Sequence, residues 1–137
     1  MRFNKNFVKK GFLSAELMIV LVIMIVLLAV AAPSGISLLN TGKESTARSD
    51  TAFIGTAISQ YKMEMGSYPA SLNVLTTTPG NGYGPWLTKL SVDPWGNNYQ
   101  YLNTDTAFAI YSWGPNGKND GTVITKIAGD DIGFIGE

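Results

Sequence analysis

The N-terminal part of the chain contains a long apolar run with a single acid at its edge. From Leu17 to Ala32, sixteen consecutive residues carry no polar side chain, and Glu16 directly precedes them. The span from Phe12 to Ala32 covers twenty-one residues, a length that can cross a bilayer as a helix. A carboxylate at the end of such a segment costs free energy, so Glu16 is a candidate functional residue.

Four basic side chains precede the apolar run, at Arg2, Lys5, Lys9 and Lys10. One interpretation is a secretory signal peptide, in which residues 29–31 (Ala-Val-Ala) form the cleavage site and the apolar run is removed. In the other, the run stays as a membrane anchor, and the basic residues keep the N-terminus cytoplasmic with the C-terminal part outside. The run is slightly longer than the apolar region of a typical signal peptide, which favours the anchor.

The pattern of Gly11, Phe12, Glu16 and Pro33 resembles the class III signal of type IV pilins and type II secretion pseudopilins. The resemblance implies that a prepilin peptidase cuts after Gly11 and methylates the new N-terminal amine of Phe12. A buried carboxylate is tolerable when it is paired, and this amine is the only new cation that the cut creates nearby. We therefore expect Glu16 to pair with the Phe12 amine of a neighbouring subunit during filament assembly. The alternative is a partly solvated Glu16 at the membrane interface.

Composition excludes several functional classes. The chain contains neither cysteine nor histidine, so it has no disulfide, no zinc site of thiolates or imidazoles, and no Ser-His or Cys-His nucleophile. Once residues 1–11 are removed, six basic and ten acidic residues remain. The resulting net charge of −4 disfavours nucleic-acid binding. We expect no enzyme and no nucleic-acid partner. The 105 residues after the apolar run suffice for one small domain.

Apolar residues after Pro33 recur at three- and four-residue spacings as far as Met65. This spacing predicts one amphipathic helical face, and Gly66 is a typical residue just after a helix end. The sequence predicts a long helix over 12–65, loosened at Pro33 by the missing backbone donor.

Three runs rich in aromatic and β-branched residues follow, at 99–103, 107–112 and 122–127. They predict a three-stranded antiparallel sheet that packs on the second half of the long helix. The fold class is therefore α+β, with a long N-terminal helix whose first half spans the membrane and a small β-sheet head. The predicted division is a cleaved leader, a membrane and assembly helix, and a head: 1–11, 12–32 and 33–137.

Four short segments resemble successive blocks of the G subunit family of type II secretion, the major pseudopilins: 65–69 (Met-Gly-Ser-Tyr-Pro), 93–101 (Asp-Pro-Trp-Gly-Asn-Asn-Tyr-Gln-Tyr), 111–117 (Tyr-Ser-Trp-Gly-Pro-Asn-Gly) and 130–133 (Asp-Asp-Ile-Gly). The resemblance implies a structural subunit that polymerises with itself into an extracytoplasmic filament. It implies an inner-membrane assembly platform and minor pilins or pseudopilins as partners. The alternatives are a major type IV pilin for adhesion, motility or DNA uptake, and a secreted or membrane-anchored binding module.

The same resemblance implies a calcium site in the C-terminal loop. Matching the family's blocks assigns side-chain ligands to Asn116, Asp130 and Asp131, and composition adds Asp120 as a candidate. Calcium prefers hard oxygen ligands, which these carboxylate and amide side chains provide together with backbone carbonyls. The alternative is that these are turn residues, because Asn, Asp and Gly favour loops for local reasons.

Overall fold

The structure, a computed structural model, describes residues 6–80 and 82–137, and gives side chains for all of these except 6–13 and 31–37. The predicted roles of Gly11, Phe12 and Pro33 fall on residues outside these described side chains. Two compact units divide the chain, Met1–Leu39 and Asn40–Glu137.

Helix α1 runs over Asn6–Met65. The helix ends at Met65, as predicted, but it begins before the predicted start at residue 12. The helix stops at Gly66, which adopts a φ of 81° and whose N–H donates to the Lys62 carbonyl oxygen at 2.8 Å. Glycine reaches this left-handed conformation without a steric penalty, so it closes the last turn.

In the first unit, the large apolar side chains of α1 from Leu17 to Leu28, with Val30, are each 49–72 % exposed. Glu16 lies directly before them and is also exposed. The helix thus presents apolar surface in every direction around its axis. Within the residues that the structure describes, no helix is long and apolar enough to cross a membrane.

In the second unit, three strands form one antiparallel sheet in the order β1-β2-β3. Strands β1 (Gln100–Asn103) and β2 (Phe108–Ser112) lie within the two predicted runs. The predicted third strand at 122–127 is wrong, because β3 is Ile132–Gly136. In 122–127, Val123 and Lys126 instead exchange two backbone hydrogen bonds of 3.0 Å, which close a tight reversal.

Glycine explains why β3 lies where it does. A Cβ at Gly133 would approach the Ile110 carbonyl oxygen to 2.5 Å, and one at Gly136 would collide with the Phe108 ring. Only glycine at these two positions lets β3 lie against the largest side chains of β2. Glycine weakens a strand signal in sequence, so the residues that permit this pairing also conceal it.

The core of the second unit lies between the C-terminal part of α1, a short 3-10 helix (Leu72–Thr76) and the sheet. Ile58, Leu75, Phe108 and Ile110 are fully buried there. The segment between α1 and β1 contributes apolar side chains to this core, with Leu72, Leu75 and Leu87 buried and Trp86 and Leu90 packed against them.

Candidate functional site

The loop between β2 and β3 gathers three of the four predicted calcium ligands. Asn116 Nδ2 donates to both carboxylate oxygens of Asp120, at 3.3 and 3.2 Å, and to Asp130 Oδ1. The Asn116 backbone N–H donates to Asp130 Oδ2 at 3.2 Å, and the Asp130 N–H donates to Asp120 Oδ2 at 3.0 Å. Asp120, a candidate from composition alone, is therefore in the same hydrogen-bonded cluster as Asn116 and Asp130.

Two glycines allow the loop to close around this cluster. Gly114 has a φ of 65°, and a Cβ there would collide with the Asp130 carbonyl oxygen. Gly129 has a φ of 57°, and a Cβ there would collide with the Asp120 carboxylate. Both positions need glycine for backbone conformation and for space, so the loop sequence is constrained beyond its acidic residues.

The carboxyl groups of Asp120 and Asp130 lie close enough to change each other's pKa. The hydrogen bond between the two carboxyl groups lowers the pKa of Asp120 and raises the pKa of Asp130. Two carboxylates that share one site resist ionising together, so a proton or a cation between them is favourable. Among the described residues, no group of three or more His, Cys, Asp or Glu side chains is placed to hold a metal ion. Amide, hydroxyl or backbone oxygens would have to complete such a site.

Asp131, the fourth predicted ligand, is only 7 % exposed and bonds elsewhere. Its Oδ2 accepts a hydrogen bond from the Thr122 hydroxyl, and its Oδ1 is buried with no hydrogen-bond partner in the described part of the chain. Thr122 is itself fixed by the Ala128 N–H, which donates to its Oγ1 at 3.0 Å. Burial, and then the negative charge of Asp131, raise the pKa of Tyr111. A buried acceptor without a partner calls for a water or a cation.

The structure also gives Asp93 a role that the sequence did not indicate. Asp93, only 3 % exposed, accepts hydrogen bonds at Oδ1 from the N–H groups of Trp95 and Asn97, at 3.0 and 2.8 Å. Its Oδ2 accepts the Ser112 hydroxyl proton, and Ser112 Oγ accepts from the Gly114 N–H at 3.0 Å. Asp93 therefore connects its own turn to the start of the loop between β2 and β3. The available signal was an aspartate just before a turn, where its side chain mimics a backbone acceptor.

The comparisons with known proteins agree with one another. A family profile described as "Type II secretion system (T2SS), protein G" matches residues 36–129. The type II secretion system core protein G of Pseudomonas aeruginosa is 36 % identical over 126 residues, covering 83 % of this chain and 89 % of the relative. The protein of the same name from Vibrio cholerae is 30 % identical, covering 90 % of this chain and 89 % of the relative.

A solved structure extends the likeness to the fold. The crystal structure of the major pseudopilin from the type 2 secretion system of enterohaemorrhagic Escherichia coli matches with a TM-score of 0.54 and 25 % identity. The match covers 71 % of this chain and 86 % of that chain. The profile spans well over half of the sequence, and the relatives align over nearly their whole length. The chain therefore belongs to the protein G family of the type II secretion system.

Proposed function

We propose that this chain is the major pseudopilin of a type II protein secretion system, a structural subunit whose helical homopolymer forms the pseudopilus. The observation that carries this proposal is the apolar surface of α1 from Leu17 to Val30, which is exposed all around the helix. Apolar surface of this extent needs lipid or other protein around it. A filament subunit meets both environments in turn, first in the inner membrane and then among other copies of itself.

The proposed membrane anchor is the segment 12–32, with the N-terminus cytoplasmic and the second unit outside. The structure describes the side chains of residues 14–30 within this span. The sequence and the exposed apolar side chains of this part support the proposed anchor. After cleavage behind Gly11, Glu16 would pair with the Phe12 amine of the neighbouring subunit, because a carboxylate entering an apolar filament core needs a cation. The role is structural, and the working partners are the prepilin peptidase, the assembly platform and minor pseudopilins.

The first test is the processed N-terminus. Co-expression with a prepilin peptidase is expected to yield a chain that starts at N-methylated Phe12, identified by intact mass and N-terminal fragmentation. Gly11→Val should block the cut, because a bulky side chain then occupies the position before the cleaved bond. A mature chain that starts near Ala32 would contradict the proposal, since the secretory signal peptide interpretation predicts that start and discards Glu16.

We also propose that the loop between β2 and β3 binds calcium through Asn116, Asp120, Asp130 and Asp131. The atoms that could coordinate the ion are all oxygens, which calcium prefers as ligands. The facing carboxylates of Asp120 and Asp130 and the unpartnered Asp131 Oδ1 are groups that a cation would satisfy. Bound calcium would supply positive charge there and fix the loop. Gly114 and Gly129 allow Asn116, Asp120 and Asp130 to converge, whereas Asp131 would have to turn away from Thr122 to join them.

The calcium proposal predicts a ligand-dependent stability. Calcium should raise the Tm of the purified protein and a chelator should reverse the rise, because a ligand that binds only the folded state stabilises it. Asp130→Asn should remove most of this shift in a thermal melt followed by circular dichroism. Asp105→Asn is the matched control, since Asp105 is an exposed aspartate in the β1–β2 hairpin. Equal calcium shifts in Asp130→Asn and Asp105→Asn would favour the plain-turn interpretation of the loop.

A further inference from the structure

The same loop contains an Asn-Gly dipeptide, Asn116-Gly117. Asparagine is thermally labile, because the backbone nitrogen of the next residue can attack its side-chain Cγ and displace the side-chain nitrogen as ammonia. A following glycine has no Cβ to hinder that attack. Asn116 is exposed, so water reaches its side chain. We propose that Asn116 is a site of spontaneous deamidation, at which a carboxylate replaces the carboxamide beside Asp120 and Asp130.

The attacking nitrogen of Gly117 is only weakly held by the fold. The Gly117 N–H donates to the Gly114 carbonyl oxygen at 3.3 Å, which is long for such a bond and holds the nitrogen weakly. Among the residues that the structure describes, a Cβ built at Gly117 would have only Asn97 Nδ2 nearby, at 3.7 Å. The fold therefore leaves open the space that a side chain at position 117 would occupy.

The carbonyl under attack is polarised by the backbone. The Lys118 N–H donates to Asn116 Oδ1 at 2.6 Å. Negative charge develops on this oxygen when the Gly117 nitrogen adds to Cγ, and a preorganised N–H donor stabilises that charge. Because the donor belongs to the main chain, the Lys118 side chain is not needed for the effect.

The chemistry needs only water. A bond forms between the Gly117 nitrogen and Asn116 Cγ. The bond from Cγ to Nδ2 breaks, and Nδ2 leaves as ammonia. The Gly117 nitrogen gives its proton to solvent, and the departing nitrogen takes one from solvent. Water then opens the cyclic imide, which leaves either aspartate or its β-linked isomer at position 116.

Deamidation would change what the loop can bind. Asn116 Nδ2 now donates to the carboxylates of both Asp120 and Asp130. The product has no such donor and adds a third negative charge, so the cluster would need a cation to stay together. Conversion thus changes an amide-bridged loop into a stronger hard-cation site. This consequence rests on the proposed calcium binding, whereas the deamidation itself does not.

Ageing the native full-length protein in mildly alkaline buffer, followed by peptide mass mapping, tests the deamidation. The acid form at position 116 should accumulate at a rate within about tenfold of that in a synthetic peptide of residues 112–122, a difference in activation free energy of about 1.4 kcal/mol. Asn116→Gln is the matched control and should keep its amide, because the larger ring forms more slowly. A peptide that converts while the native protein keeps its amide would overturn the inference.

Calcium-dependent melts of two variants test the consequence. Asn116→Asp, the product form, should show a larger calcium-induced rise in Tm than Asn116→Gln. Equal rises in the two variants would overturn the gain of affinity. Deamidation without any calcium shift in either variant or in the unmodified protein would refute the calcium site and leave the modification standing. A calcium shift in a protein that never deamidates would do the reverse.

Discussion

Glu16→Ala is expected to abolish filament formation while the second unit stays folded and the leader is still cleaved. The substitution removes the one carboxylate at the edge of the apolar run, so the Phe12 amine of the neighbouring subunit enters the filament core unpaired. A buried charge without its partner is strongly destabilising, which should stop assembly at the first added subunit. The measurement is the yield of pseudopili by shearing and electron microscopy, with secretion of a cargo protein as the second readout.

Glu44→Ala is the matched control, because Glu44 lies on the same helix beyond the apolar run. It should assemble like the unchanged chain. Glu16→Gln separates charge from shape: a neutral amide of the same size should also fail if ion pairing sets the assembly. Abundant normal filaments from Glu16→Ala, with the N-terminus correctly processed, would contradict the pairing mechanism and favour an interfacial Glu16.

The helix and the first two strands were predictable because their signals are local. The three- and four-residue spacing up to Met65 and the Gly66 stop lie within one helix and its cap. Strand β3 was not predictable in this way, because its place depends on packing across the sheet. Gly133 and Gly136 fit against β2 because they have no side chains, and the β-branched run at 122–127 closes a reversal instead.

The site shows the same division between local and tertiary information. The resemblance and the oxygen-rich composition predicted Asn116, Asp120, Asp130 and Asp131, and the structure brings the first three together. It directs Asp131 to Thr122, which no spacing rule indicated, because this bond joins two loop segments through their fold. Side-chain direction in a loop follows from the backbone that packing selects.

Asp93→Ala is expected to destabilise the second unit by about 3 kcal/mol, because it leaves one buried and two part-buried donors without acceptors, and a fully buried donor alone costs roughly 1–3 kcal/mol. The N–H groups of Trp95 and Asn97 and the hydroxyl of Ser112 all lose their partner. For a unit of this size the loss corresponds to a drop in Tm of roughly 10–20 °C. Thermal melts of the full chain in detergent, followed by circular dichroism, measure it.

Two further substitutions identify the cause. Asp93→Asn keeps an oxygen acceptor for both backbone donors and should cost less than Asp93→Ala, whereas Asp105→Ala, at an exposed position, should change stability by no more than about 0.5 kcal/mol. Because Ser112 Oγ also accepts a hydrogen bond from the Gly114 N–H at the start of the loop between β2 and β3, Asp93→Ala should weaken the calcium-induced rise in Tm as well. If Asp93→Ala melts like Asp105→Ala, the carboxylate is not the anchor, and the turn is held by its proline, glycine and tryptophan alone.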